Sequence, residues 1–323
     1  WVWLSAKECL TDFSICLSQN PSLTRDKNKQ SEGTSKNRPL FKSRQNLTTN
    51  FVIGEKHATF PIFKTGCRSS DCRSSPSFDK KTAELKVGAT AGPHAANVQK
   101  AAEVAKKQGL NVKVIEFTDY ISPNKSLEEG SLDIVIYQHE PFLNNFNKQQ
   151  GTHLKNIGVA VVQPMGFYSK NIHSLKDIPD GATFAIPNDP SNEGRGLQLI
   201  EKAGLIKLQP GKDGSAITVA DIIDNPKHLK FKELEAAQLP RSLSDVDIAT
   251  IPMNYVISAG LSPEKDGFYY ESKEAPYALI IIAARENNAN NADVQKFVKA
   301  FQSPEVAKFI KEEFKGAVVP AWE

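Results

Sequence analysis

Three short stretches hold the side chains whose types and spacing could do chemistry. In "DIVIYQHEPFLNNF" an apolar run ends in Tyr137, Gln138, His139 and Glu140, and Pro141 follows. A proline there suits the first turn of a helix, so Tyr137 and His139 stand at the carboxyl end of a strand, the edge beyond which open parallel sheets bind ligands. The plainer alternative makes Tyr137 and Phe142 core aromatics and His139 a bonded loop histidine. In "AIPNDPSNEGRGLQLI" a strand end again runs into a helix, with Asn192 read as the N-cap and Arg195 in the first turn. A helix N-terminus favours an anion, and an arginine at that disfavoured end makes sense if it grips a carboxylate or phosphate in bidentate fashion. Local pairing with Glu193 is the competing reading. In "DIATIPMNYVISAGL" the amide of Asn254 could accept from an ammonium and donate to a carboxylate, as a zwitterion requires. Tyr120, in "TDYISPN", ends the preceding strand of the series. Taken singly, each of these last two reads first as an ordinary loop polar residue.

Other chemistries lack their signatures. "GATAGP" does not have the GxGxxG order, and there is no GxxxxGK[ST], GxSxG or HExxH. The six histidines are scattered, and Cys9, Cys16, Cys67 and Cys72 fit neither a zinc site nor a redox CxxC. No cofactor and no metal are expected.

Positioning the three stretches requires alternating elements. "ELKVGATAGPHAANVQKAAEVAKKQGLNVKVIEF" reads as strand, helix and strand, with Pro93 in the first helical turn and Gly109 after the last. "SPNKSLEEGS" is a short helix, "LDIVIY" a strand, and "EPFLNNFNKQQG" a helix ending at Gly151. The series restarts with "GATFAIP" as a strand, "NEGRGLQLIEKAGL" and "TVADIIDN" as helices, "LKFKELE" and "VDIATIP" as strands, and one last helix over "NADVQKFVKAFQSPEVAKFIKEEF". Such alternation implies doubly wound, mostly parallel sheets. The expected architecture is α/β in two lobes, 84–163 plus 274–323 in the first and 164–273 in the second, crossed near Gln163 to Gly166 and Ser272 to Pro276.

Charge and composition divide the chain differently. Through Ala83 there are 14 Lys and Arg against 7 Asp and Glu, and beyond it 26 against 30. The basic, Ser- and Asn-rich 1–83 reads as a disordered or non-native leader, with at most an isolated hairpin in it. The mildly acidic remainder gives no reason to expect nucleic acid. No window approaches a membrane helix, and the first twenty residues do not read as a secretory apolar segment.

Taken together and in order, "VGATAGPHA", "FTDYISPN", "YQHEPFL", "PNDPSNEGR", "LEAAQLPRSL" and "ESKEAPYALII" resemble the NlpA family of methionine-binding lipoproteins, the substrate-binding components of methionine ABC importers. The resemblance runs from about Leu85 to Trp322. It implies a type II periplasmic-binding-protein fold that closes on an amino acid and no enzymatic activity. It further implies a membrane ABC transporter complex as partner, a monomer, and a periplasmic or envelope location with a lipid anchor in the full-length form. By resemblance, Tyr120, Tyr137, His139 and Phe142 form an aromatic wall around the ligand side chain, while Arg195 and Asn192 hold its α-carboxylate. Family members often carry an asparagine at the position of Pro252, so either Asn254 substitutes for it or the ligand differs from L-methionine. The approach to Cys67 is basic and polar, unlike a lipobox. The competing reading is an enzyme on a similar scaffold acting on a small carboxylate or phosphate, with His139 as general base.

Overall fold

The structure, a computed structural model, describes residues 84–323. The expected leader, its hairpin and the four cysteines lie outside the described residues.

The first strand-helix series folds as expected from its apolar spacing. Strand β1 (Leu85–Thr90) leads through Gly92, at φ 89°, into α1 (Pro93–Lys107). Then come β2 (Val112–Phe117), α2 (Ser122–Glu128), β3 (Ile134–His139), α3 (Glu140–Gln150) and β4 (Leu154–Val162). The second series comprises β5 (Met165–Tyr168), β6 (Thr183–Pro187), α4 (Pro190–Lys202), β7 (Lys207–Leu208), β8 (Ile222–Asp224) and β9 (Lys230–Leu234). It continues with α5 (Leu239–Ser242), β10 (Ile248–Pro252), α6 (Met253–Ser258), α7 (Pro263–Asp266) and β11 (Gly267–Tyr270). The chain then returns to the first series as β12 (Leu279–Arg285), α8 (Ala292–Phe301), α9 (Pro304–Phe314) and β13 (Val319–Pro320).

Two sheets result, ordered β13-β4-β12-β3-β1-β2 and β11-β5-β10-β6-β9. They are mixed rather than mostly parallel. The pairs β1–β2, β1–β3, β6–β9 and β6–β10 are parallel, but the outgoing and returning chain segments lie side by side. Hence β4 pairs antiparallel with β12, and β5 with β11. The chain leaves one sheet for the other at Gln163 and Pro164 and comes back between Tyr270 and Leu279.

Central strands are covered on both faces, which is why they read as unbroken apolar runs. In β3, Ile134 and Ile136 point into a core shared with α1, α8 and α9, while Val135 and Tyr137 point into the opposite core with Leu127 and Leu143. Strand β12 divides likewise, with Ile280 and Ile282 on one side and Ile281 and Ala283 on the other. Fully buried Phe297 and Phe301 of α8 anchor the C-terminal segment to the first sheet, each contributing about 1.5–3 kcal/mol through burial.

Three expected helices differ. The helix expected from Asn192 begins two residues earlier at Pro190, and Asp189 is its N-cap, accepting the Asn192 N–H at 3.1 Å. Proline at the first helical position, where its missing N–H is harmless, fixes that start. "TVADIIDN" is a single 3-10 turn over Val219–Asp221 followed by β8. The Asp221 carboxylate takes the Thr218 N–H at 2.9 Å and closes that turn, and the β-branched Ile222 then pairs with Leu208 of β7. The expected last helix is two, α8 and α9, because Pro304 cannot continue the hydrogen-bond ladder and Ser303 caps a new start.

Candidate functional site

The strand ends of both sheets face one narrow cavity. All seven residues singled out from the sequence, Tyr120, Tyr137, His139, Phe142, Asn192, Arg195 and Asn254, line it. Gln138, Gln163, Pro252, Met253 and Ile280 line it as well. Gln163 escaped the sequence reading because it sits between strands, where only the expected crossing marked it.

The aromatic side is built locally. Asp119 accepts the Ile121 and Ser122 N–H groups at 2.7 Å each, which fixes the turn presenting Tyr120. The Tyr137 hydroxyl donates to the Tyr120 carbonyl at 2.8 Å. Behind them, Asn124 and Gln138 exchange two hydrogen bonds of 2.7 Å in a buried pair. Tyr120, Tyr137 and Phe142 then stand 5.9–6.0 Å apart, centroid to centroid, with Phe142 edge-on to both tyrosines, in the range where ring quadrupoles attract.

His139 has a structural explanation. As N-cap of α3 its Nδ1 accepts the Phe142 N–H at 3.1 Å, so the ring proton resides on Nε2, which donates to Asn192 Oδ1 at 3.1 Å. That second bond reaches from the first sheet's strand end to the helix following the second sheet's β6. Burial, reinforced by the Arg195 charge, lowers the His139 pKa to about 3, so the imidazole is neutral at physiological pH with both nitrogens engaged. Further bonds span the two halves, among them Tyr120 hydroxyl to Asn254 Oδ1 at 2.6 Å, Tyr255 hydroxyl to the Thr118 carbonyl at 3.2 Å, and Ser258 Oγ to the Ala91 carbonyl at 3.1 Å. Burial raises the Tyr120 and Tyr137 hydroxyls well above the usual phenol range, so both remain donors.

The polar side is non-local. Arg195 is 4 % exposed and does not pair with Glu193, whose carboxylate instead accepts the Val219 N–H at 3.2 Å. Its partner is Glu271, which follows β11: Nη2 donates to Oε2 at 2.6 Å and Nε to both carboxylate oxygens at 3.1–3.2 Å. Nη2 also donates to the Gln163 carbonyl at 3.1 Å. Oε2 of Glu271 takes the Met165 N–H at 3.1 Å, and the Glu271 N–H donates to the Met165 carbonyl at 2.9 Å. One ion pair thus ties α4 to both chain crossings. Nη1 is left with only a 3.5 Å contact to Asn192 Oδ1. Asn192 is oriented by its amide nitrogen, which donates to both Asp189 oxygens at 3.0 Å; burial raises the Asp189 pKa, opposed by these bonds. Gly194 lies where α4 passes so close to Gly214 that a Cβ would collide with the Gly214 carbonyl.

Two buried cavity donors, Gln163 Nε2 and Asn254 Nδ2, have no hydrogen-bond partner among the described residues. With Arg195, whose Nη1 has only the 3.5 Å contact to Asn192 Oδ1, they line the same pocket as the aromatic rings. Such an arrangement suits a carboxylate attached to an apolar chain. Among the described residues no cluster of potential metal ligands occurs.

The family model described as NlpA lipoprotein matches residues 85–322. A probable D-methionine-binding lipoprotein MetQ of Vibrio cholerae is 46 % identical over 240 residues, 74 % of this chain and 88 % of that protein. D-methionine-binding lipoprotein MetQ of Escherichia coli K12 is 44 % identical over 247 residues, 76 % and 90 % of the two chains. Among solved structures, a nutrient-binding protein from Burkholderia cenocepacia bound to methionine is 50 % identical, with a TM-score of 0.71 over 73 % of this chain and 99 % of that one. A Coxiella burnetii periplasmic substrate-binding protein of an ABC transporter is 43 % identical, with a TM-score of 0.70 over 73 % and 100 %.

Proposed function

The chain belongs to the NlpA lipoprotein family, a family of the cell envelope, and from that premise we propose that it binds methionine between its two halves and delivers it to a membrane ABC importer. The observation that carries this reading is that the Arg195 guanidinium and two buried donors without partners among the described residues, Gln163 Nε2 and Asn254 Nδ2, belong to the same pocket as Tyr120, Tyr137 and Phe142. The α-carboxylate sits against the donors and the thioether chain lies among the rings. Asn254 takes the place of the asparagine that Pro252 replaces, since it lines the pocket, its Oδ1 is held by Tyr120 and its amide nitrogen has no partner among the described residues.

Burying a methionine side chain contributes roughly 1.5–3 kcal/mol, and each hydrogen bond to a charged group roughly another 1.5–3. Micromolar binding requires about −8 kcal/mol net of association costs. The ring wall alone falls short, so the donor end supplies the balance.

Transport follows from closure. The lobes are residues 84–163 with 274–323, and 164–273, hinged at the two crossings. Ligand contacts from both sides favour the closed arrangement, in which His139 meets Asn192 and Tyr120 meets Asn254. No bond is made or broken. An enzymatic reading would need His139 as a base, yet its nitrogens are both committed and its pKa lies near 3, far from a useful poise at neutral pH. The protein acts as a lipid-anchored monomer on the periplasmic side. Mass spectrometry of the denatured protein should release methionine, and calorimetry should recover its binding to the refolded chain. Release of no amino acid, together with no binding heat, would refute the reading.

A further inference from the structure

The cavity is lined by a single ionised residue among those described, Arg195, and the carboxylate that balances it lies outside the lining. Glu271 is 9 % exposed, 76 residues from Arg195 in sequence, and fixed by the Met165 N–H as well as by the guanidinium. We propose that Glu271 is a specificity-determining residue: by neutralising Arg195 from outside the cavity it sets the pocket for a net-neutral zwitterion and against a bare organic anion. This refinement rests on the amino-acid ligand proposed above.

The argument is one of charge balance in a buried space. An unpaired guanidinium would attract any carboxylate and repel the ammonium group that an α-amino acid carries on the adjacent carbon. Paired with Glu271, it keeps Nη1 as a hydrogen-bond donor but presents no net charge. A zwitterion then enters without burying an uncompensated charge, whereas an anion buries one negative charge and no positive one to match. Two other carboxylates lie near the wall: Asp119, turned onto the Ile121 and Ser122 N–H groups, and Asp189, the N-cap of α4, held by Asn192 and Ser191, where the helix N-terminus offsets its charge. The geometry separates charge from shape: Oε2 of Glu271 receives Met165 N, Arg195 Nη2 and Arg195 Nε, while Oε1 receives only a 3.2 Å contact from Nε. Glu271→Gln can therefore keep an oxygen at the Oε2 position and lose little but the charge.

Calorimetry on the full chain with methionine and with its deamino analogue, a carboxylate bearing the same thioether chain, tests this. Wild-type protein should bind the analogue at least a hundredfold more weakly than methionine. In Glu271→Gln the ratio of the two dissociation constants should shift toward the anion by about tenfold or more, the effect of one charge a few ångströms away in a partly screened site. Glu271→Asp, which keeps the charge, should leave the ratio near the wild-type value. An unchanged ratio in Glu271→Gln, or equal changes in the two variants, would overturn the proposal. If Glu271→Gln does not fold, the wild-type comparison decides, and analogue binding within threefold of methionine overturns it. Methionine binding with an unshifted ratio refutes only the role of Glu271; absence of methionine binding to wild-type protein refutes the ligand reading and this proposal with it.

Discussion

The two ends of the cavity are assembled in opposite ways. The aromatic end comes from one short span, Tyr120 to Phe142, whose members fix one another through a turn, a strand end and a helix cap. The donor end draws Gln163, Arg195, Asn254 and Glu271 from separate elements: an ion pair joins Arg195 and Glu271 to both chain crossings, while Asn254 is held from across the cleft by Tyr120. A locally built wall can form within one half before closure. A donor end tied to the crossings instead joins ligand grip to hinge geometry.

The largest test of that contrast is Arg195→Ala. It should weaken methionine binding by about a hundredfold or more and also destabilise the fold by about 3–5 kcal/mol, because Glu271 is left buried without its partner. Replacing both with methionine should recover most of the stability in urea denaturation and none of the affinity in calorimetry. Recovery of affinity would show that the pair is scaffolding only. At the other end, Phe142→Ala should cost about 3 kcal/mol of stability and weaken methionine binding severalfold while leaving the crossings undisturbed. Small-angle scattering should still report ligand-induced compaction in that variant.

The histidines sharpen the comparison through pH. His94 and His139 are both nearly fully buried, and burial lowers each to a pKa of about 3. A base whose folded pKa is depressed binds fewer protons than the unfolded chain below pH 6.5, so its stabilisation is complete above that value and is lost as pH falls toward 3. Between pH 6.5 and 5 stability should drop, each histidine accounting for up to about 1.4 kcal/mol per pH unit. His139→Gln should remove its half of that slope and alter discrimination among amino-acid side chains; His94→Gln should remove a similar slope without touching discrimination, because His94 does not line the cavity. Denaturant titrations across that pH range provide the check. The smallest effect is expected from Tyr120→Phe, which removes the hydroxyl bond to Asn254 across the cleft and should cost about 1 kcal/mol of binding with the ring wall intact.

How far the sequence could be read follows from the same division. Proline and glycine placed α1 and α3 correctly, and the apolar run "LDIVIY" located β3, because those signals act within a few residues. At the start of α4 two local signals compete, the Asp189-Pro190 pair and Asn192, and the proline fixes the outcome. The turn at Val219–Asp221 was missed because a side-chain-to-backbone bond over three residues imitates the start of a helix. The mixed character of the sheets was not legible, since strand direction depends on where a returning segment docks.

The residue types and their order, by themselves, determined the alternating α/β framework, the aromatic cluster around Tyr137 and the presence of an arginine near a helix start. Hydrophobic period, caps and turns are short-range forces and leave short-range marks. Only the tertiary structure decided that Arg195 faces Glu271 rather than Glu193, and that Gln163 and Asn254 keep donors to spare. It also decided that His139 spans the cleft to Asn192. Those outcomes depend on which distant groups remain unpaired once the chain is packed, and no local spacing encodes that balance.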